Sequence, residues 1–470
     1  MKLESFEGLG IIPIDILQRG TKKIAEYMLD LFRSPNGDPL FRSKLMVVGY
    51  ESVGKTIILD CLFPLEGHLT QHGFPFNTKY WFKLQGNTLR KYEKRGDAVA
   101  HKNKVIVFEN RQWEVVALPK DFGIKISPRA QPPQQPKGGG EEKEITLYCG
   151  DRETQEVWLG RLRRACKNES THGIEIQSHS IDNDITREYF RKCVLAGKEI
   201  GETRKIDVSV WDFAGQQDYY HNHYYFISTR TVFLVLWKMS EGDEKGMRGL
   251  EFWFRSLASH LGVSSSSSTV DSSSSSAAAA GEGEGELAPP QAATSLSGTY
   301  YSIIVVGTFL DHSSAKREDK PIRQKKIEGI AQECGLGSSS SSSLQYYEVS
   351  CSSSLENIGE VQDGIVRAML SHSYMGERVP KSYLTISDYL RGVNEERKKR
   401  EETAKEMKER EALGLKKGLA NKGDPTTSST GANIWQDIPI MKVTDLSRIY
   451  SEDLVKRALG LLSLWGVCLL

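Results

Sequence analysis

Short apolar stretches of six or seven residues, separated by longer amphipathic ones, set the rhythm of this chain. KLMVVG (Lys44–Gly49), KIDVSVW (Lys205–Trp211), TVFLVLW (Thr231–Trp237), YSIIVVG (Tyr301–Gly307) and QYYEVS (Gln345–Ser350) are rich in β-branched and aromatic residues. Runs of that length and character predict strands buried on both faces. Helix-length segments lie among them at Glu251–Leu261, Ile322–Cys334 and Leu355–Met369. The alternation predicts an α/β domain whose mostly parallel sheet is covered by helices. A different rhythm interrupts it between Thr56 and Thr171, where period-two stretches such as Lys79–Tyr92, Trp113–Ala117 and Ile145–Cys149 precede an amphipathic segment, Glu156–Cys166. That pattern predicts a small antiparallel β unit closed by a helix.

Other segments cannot pack. Residues 262–298 hold serine and alanine runs followed by GEGEGE, a low-complexity surface insertion expected to be disordered, and Ser338–Ser343 is a shorter one. Pro128–Glu142 reads as a long loop, Asn394–Glu411 as a helix polar on every side and therefore solvated, and Ala420–Gly431 as a linker. A length of 470 residues leaves room for two to four domains. With 62 basic against 61 acidic residues the net charge is +1, so no whole-chain field attracts nucleic acid and none is expected as a partner. There is no 18-residue apolar run and no signal-peptide pattern at the N-terminus. Seven cysteines without a CxxC pair fit free thiols in a reducing cytosol better than a disulfide framework or a zinc site.

Three motifs carry chemistry. The first strand runs into GYESVGKT, Gly49 to Thr56, followed by a helical pattern. This strand–glycine loop–helix context is that of a phosphate-binding loop. Backbone N–H groups of Gly49, Glu51, Ser52, Val53 and Gly54 would curl around a phosphate chain at a helix N-terminus. Lys55 would reach the β- and γ-phosphates, and the Thr56 hydroxyl would ligate Mg²⁺. A turn with no ligand is the alternative.

In the second motif, strand Lys205–Trp211 ends in DFAGQQ. Asp212 would hold Mg²⁺ through water, the Gly215 N–H would meet a γ-phosphate oxygen, and Gln216 would orient an attacking water. A plain helix cap at Asp212 is the bland reading. In the third, strand Tyr301–Gly307 leads to Thr308-Phe309-Leu310-Asp311. The Asp311 carboxylate can accept from N1–H and the 2-amino group of guanine, which adenine lacks. The usual wording is Asn-Lys-x-Asp, so Thr308 and Phe309 are departures. The last strand ends in Ser350 and Cys351, where a backbone N–H could meet guanine O6 or simply form a turn. His221 and His223, in YYHNHYY, read as aromatic packing rather than a metal site. No Ser–His–Asp or Cys–His set is evident.

With these motifs in order and WDFAGQ spelled from Trp211, the chain resembles the Roco family, in which a Ras-like Roc GTPase domain precedes a COR dimerisation domain. THGIEI from Thr171 resembles that family's switch I, which implies that Thr171 is a second Mg²⁺ ligand and a γ-phosphate sensor. The resemblance implies a leucine-rich-repeat end and joining helix over 1–40, a Roc domain over 41–63 and 169–375, and the first part of COR over 376–470. Residues 64–168 are similar to a pleckstrin homology (PH) domain, with Trp158 as the tryptophan of its closing helix. Two positions that lipid-binding PH domains make basic are here Gln71 and Tyr80, although Lys79, Lys83, Arg90, Lys91, Lys94 and Arg95 surround them.

The expectation is a GTP-binding switch that hydrolyses GTP slowly with Mg²⁺, with Lys55, Thr171 and Gln216 as its catalytic residues. It would be cytoplasmic, with peripheral membrane association a further expectation. A homodimer through COR, and a phosphoinositide or protein ligand for the PH-like unit, would be its partners. Deleting Leu65–Cys166 is expected to change GDP release or hydrolysis. The rivals are a nucleotide-binding scaffold without turnover, a PH-based adaptor, and an ATPase.

Overall fold

The computed structural model describes residues 12–17, 19–33, 37–73, 76–96, 105–108, 113–118, 121–129, 144–167, 173–198, 200, 204–216, 226–261, 300–336, 344–393, 396, 400 and 443–463. The expected insertions over 262–298 and 338–343, the linker over 420–431, and His221 and His223 lie outside them, as does nearly all of the charged segment 394–411.

In chain order, helices α1 (Ile14–Leu17) and α2 (Thr21–Arg33) precede strands β1 (Asp38–Leu40) and β2 (Arg42–Gly49) and helix α3 (Lys55–Leu62). Seven strands follow: β3 (Leu65–Gln71), β4 (Thr78–Gln85), β5 (Thr88–Tyr92), β6 (Val105–Val107), β7 (Trp113–Ala117), β8 (Gly123–Pro128) and β9 (Ile145–Tyr148), then helix α4 (Arg152–Lys167). The chain returns through β10 (Ile174–Ile181), α5 (Asp184–Leu195), β11 (Ile206–Phe213), β12 (Thr231–Lys238), α6 (Asp243–His260), β13 (Ser302–Thr308), α7 (Lys320–Glu333), β14 (Leu344–Glu348) and α8 (Ile358–Ser371). After β15 (Glu377–Val379) come a helix over 381–393 (α9), then α10 (Val443–Leu446) and α11 (Glu452–Leu462).

The six-stranded sheet has the order β10-β11-β2-β12-β13-β14; β10 runs antiparallel to β11 and the other pairs are parallel. Every residue of β2 is buried, because both faces are covered. Met46 and Val48 face the layer holding Trp253, Phe254 and Leu257 of α6, while Leu45 and Val47 face Ile58 of α3 and Val361 of α8. The five strands read from the apolar runs are all present, none with an end shifted by more than two residues. The edge strand β10 is an addition, with only Ile181 of its eight residues fully buried.

The seven strands between α3 and β10 form a second, wholly antiparallel sheet in the order β6-β5-β4-β3-β9-β8-β7. Helix α4 closes it by burying Trp158 and Leu162 against Phe82, Leu84, Ile124 and Leu147. A third cluster joins the two ends of the chain: Ile16, Ile24 and Tyr27 pack with Tyr383, Ile386, Val455 and Leu459. Within it the buried Asp30 accepts from Arg457 Nε at 2.7 Å and from the Tyr383 hydroxyl at 2.9 Å. A buried fork of Arg230 to Asp15 and Glu377 ties these flanks to the large sheet.

Candidate functional site: a glycine-turned cradle and the loops beside it

β2 delivers the chain at the carboxyl edge of the parallel sheet, where doubly wound folds place ligands. The turn into α3 uses left-handed backbone at Ser52 (φ 60°) and Gly54 (φ 88°). Gly54 tolerates this because it has no Cβ, and it occupies the N-cap of α3 without a side-chain cap. The helix therefore begins without a side chain competing for its first N–H groups, as an anion site requires.

Lys55 is 7% exposed. Its ammonium donates to the carbonyls of Gly49 at 3.0 Å and Tyr50 at 2.8 Å. Burial pushes its pKa down to about 8, opposed by the nearby carboxylates of Asp212 and Glu51. Beside it the Thr56 hydroxyl donates to Asp212 Oδ2 at 2.7 Å, joining α3 to the end of β11. Asp212 is buried. Gly215 lies against the loop so closely that a Cβ there would fall 2.6 Å from the Glu51 nitrogen and would collide with Lys55 Nζ. Only glycine brings this backbone so close to the cradle. Half-buried Gln216 follows, the last described residue of that segment. Thr171 lies outside the described residues.

The donor set at Thr56 and Asp212, one hydroxyl and one carboxylate, is hard oxygen and fits Mg²⁺. Among the described residues no group of three or more His, Cys, Asp or Glu comes together to hold a metal. A cation here would complete its shell with phosphate oxygens and water, as Mg²⁺ does in nucleotide sites.

At the other end of the cradle, Thr308 replaces an asparagine without abandoning its post. Its buried hydroxyl donates to the Val53 carbonyl at 2.8 Å, with the Trp237 carbonyl 3.1 Å away. It thus ties β13 to the phosphate loop and to β12. Phe309 has a left-handed backbone (φ 63°), and its ring lies 4.0 Å from where a Gly54 Cβ would stand. Lys238 Nζ sits 5.1 Å from the centre of that ring. The exposed Asp311 is oriented by Ser350, whose fully buried hydroxyl donates to Oδ1 at 2.9 Å. Ser350 in turn accepts from the Ser352 N–H at 3.2 Å. The Leu310 N–H to Val349 carbonyl bond of 3.0 Å completes the join between the two loops. Half-buried Cys351 lies next to Cys61 at the back of α3.

All site residues read from the sequence, Thr171 apart, therefore gather along one edge of the large sheet. Sequence reasoning missed a second set that packs against this edge. Asp60 of α3 pairs with Arg161 of α4 at 2.8 Å, and Arg164 of α4 pairs with Glu175 of β10 at 2.7 Å. Burial raises the Asp60 pKa, with Arg161 and Arg164 opposing it. The signal was present as two arginines three apart on an amphipathic helix, but their partners are far away in sequence. The basic face of the seven-stranded module is also partly spent: Arg90 donates to the Ser353 carbonyl at 2.8 Å. Lys91, 2% exposed, donates to Gln71 at 2.9 Å and sits 3.2 Å from the centre of the Tyr80 ring.

A family model described as "Ras of Complex, Roc, domain of DAPkinase" matches residues 163–270. The chain is 27% identical over 213 residues to "Probable serine/threonine-protein kinase pats1" of Dictyostelium discoideum, covering 43% of this chain and 5% of that protein. It is 46% identical over 48 residues to "Leucine-rich repeat serine/threonine-protein kinase 1" of Caenorhabditis elegans, 10% of this chain and 2% of that one. Among solved structures, the Roco2 RocCORdC fragment of Methanosarcina barkeri, described as bound to GDP, aligns over 75% of this chain and 56% of its own at 13% identity, with a TM-score of 0.33. The chain thus spans a small fraction of the curated relatives it matches, and the Roc match begins at the end of α4 and runs across β10, β11, β12 and α6, the stretch that carries Asp212, Gly215 and Gln216. Over that stretch the chain is therefore similar to Roc domains, and the relatives it matches include Roco proteins.

Proposed function

We propose that this chain is a guanine-nucleotide switch that binds GTP and GDP with Mg²⁺ and hydrolyses GTP slowly. The observation that carries the reading is the convergence of Lys55, the Thr56–Asp212 pair and the Gly215 backbone on one glycine-turned cradle. Lys55, already stripped of water, presents its charge to the β- and γ-phosphates. Thr56, Asp212 and Thr171 would hold Mg²⁺, which would supply charge neutralisation at the phosphates. Gly215 offers its N–H where the γ-phosphate ends, and Gln216 orients water for in-line attack. Asp311, held by Ser350, selects guanine, and Phe309 offers a ring face to the base. Release of the γ-phosphate frees the segments after Thr171 and Gly215 together.

The seven-stranded module is read as PH-like on its antiparallel order and its Trp158-bearing closing helix. With Arg90 engaged by the Ser353 loop and Lys91 turned inward, a protein ligand suits it better than a phosphoinositide headgroup. The segments from β15 onward are read as the first part of COR, with a homodimer forming through that domain, and the setting as cytoplasmic. No helix of the described residues is long and apolar enough to cross a membrane.

Phosphate release from GTP in Mg²⁺ tests the enzyme directly. An intrinsic rate on the order of 10⁻⁴ to 10⁻² per second is expected, reduced at least tenfold in Gln216→Leu. Unaltered turnover in that variant would favour the scaffold reading.

A further inference from the structure

The inserted module does not hang from the sheet by its two connections; it grips the nucleotide edge at three places. Its β4–β5 turn caps the end of α3, where the Gly86 N–H donates to the Asp60 carbonyl at 3.1 Å and Gln85 donates to the Cys61 carbonyl at 2.8 Å. That fit is close: a Cβ on Gly86 would fall 2.7 Å from Cys61 Sγ. Arg90 reaches the Ser353 carbonyl at 2.8 Å, on the loop that orients Asp311. The third grip comes from α4. Arg161 pairs with Asp60 and donates to the Phe63 carbonyl at 2.9 Å. Arg164 spans two elements, with Nη2 at 2.7 Å from Glu175 of β10 and Nη1 at 3.8 Å from Asp60 of α3.

The positions of those two carboxylates matter. Asp60 stands four residues after Thr56, one turn further along the same face of α3. Glu175 is directly opposite Asp212 in the β10–β11 ladder, so their side chains project from the same face of the sheet. The guanidinium fork therefore bridges the helix that carries one Mg²⁺-side ligand and the strand that flanks the other. β10 is also the first element after Thr171, and α4 ends at Lys167 just before it. Arg164 makes its one hydrogen bond of the pair to Glu175 and faces Asp60 across 3.8 Å by charge alone, so the link to β10 is the tight one.

We propose that Arg164 is a positioning residue for the Mg²⁺ end of the nucleotide site, through which seating of the inserted module sets how fast nucleotide leaves. The proposal rests on the reading above that the site takes guanine nucleotide with Mg²⁺. Arg161, Gln85 and Arg90 keep the module seated and Asp60 paired when Arg164 is removed, so its loss loosens β10 rather than undocking the module.

The test is the release rate of a fluorescent GDP from the full chain, in excess Mg²⁺ and in excess chelator, for wild type, Arg164→Ala, Arg164→Lys, Glu175→Ala, the Arg164→Ala/Glu175→Ala double variant, and Arg152→Ala as an exposed control on the same helix. In Mg²⁺, Arg164→Ala and Glu175→Ala should each release GDP about fivefold faster, the size expected of a half-buried charged hydrogen bond. The double variant should be no faster than either single one, because both remove one link. Arg164→Lys should fall between, and Arg152→Ala should match wild type. In chelator the variants should converge on wild type, since the metal end then no longer limits release. Wild-type release from Arg164→Ala, additive effects in the double variant, or an equal acceleration with and without Mg²⁺ would overturn the proposal while leaving GDP binding intact. Failure of the wild-type chain to bind GDP would remove the underlying reading and this inference with it.

Discussion

At the proposed phosphate end of the cradle the atoms offered are backbone N–H groups and one buried ammonium, and the sequence there follows the general pattern letter for letter. At the base end they are side-chain oxygens, and two of four letters depart from Asn-Lys-x-Asp. Yet the base end is as firmly built. Thr308 reaches the Val53 carbonyl, and Ser350 fixes the carboxylate of Asp311. The difference teaches where a motif is rigid. A loop that offers its backbone must keep the glycines whose Cβ would collide, as one on Gly49 would with the Leu236 carbonyl oxygen at 2.7 Å and one on Gly215 with the Glu51 nitrogen at 2.6 Å. A loop that recognises by side chain can change residues so long as a hydroxyl or carboxylate arrives at the same acceptor or donor.

The largest effect is expected at the phosphate end. Lys55→Ala should weaken nucleotide binding by about three to four kcal/mol, several hundredfold, as two charged hydrogen bonds to phosphate are lost. Calorimetric titration reads the loss, and a thermal melt of the variant checks that the fold survives.

The same residue predicts a pH dependence. In the free protein Lys55 titrates at about 8 rather than 10.5, because burial disfavours its charge. Its folded pKa lies below the unfolded one, so the protonated form costs the empty fold stability below about pH 8, and that cost disappears as pH rises from about 8 toward 10.5. Phosphates favour the charged form and raise this pKa, so binding takes up a proton once the free group is neutral. Affinity for GDP should be flat below about pH 8 and fall by about tenfold per pH unit above it. Titrations at three pH values spanning that point check the slope.

The base end sharpens the contrast at smaller amplitude. Thr308→Val keeps the shape but removes the hydroxyl, leaving the buried Val53 carbonyl short of a donor. It should cost about 1–2 kcal/mol in the denaturation midpoint free energy, with a matching loss in nucleotide affinity. Thr308→Ser should retain most of both. Equal losses in the two variants would show that the methyl group, not the hydroxyl, holds the loop.

The parallel sheet and the cradle were legible because strands buried on both faces read as continuous apolar runs, and because the phosphate loop is a local device of eight consecutive residues. β10 was not legible as a strand: IEIQSHSI is half-exposed along its length and lies at a sheet edge. The role of Thr308 could not be read, since its acceptor lies 255 residues away. Asp60, Arg161 and Arg164 look in the sequence like ordinary helix-surface charges. Only the docking of α4 onto α3 and β10 makes them a linked set. The inward turn of Lys91, onto Gln71 and Tyr80, was hidden for the same reason.

On this reading Asp311, set by Ser350, selects guanine although its motif is atypical. Fluorescent GDP bound in Mg²⁺ should be displaced from the wild-type chain by GTP and GDP but not by ATP at about a hundredfold excess, the discrimination expected when two guanine donors lose their acceptor. In Asp311→Asn that preference should collapse. Equal displacement by ATP from the wild-type chain, or an undiminished guanine preference in Asp311→Asn, would contradict the account.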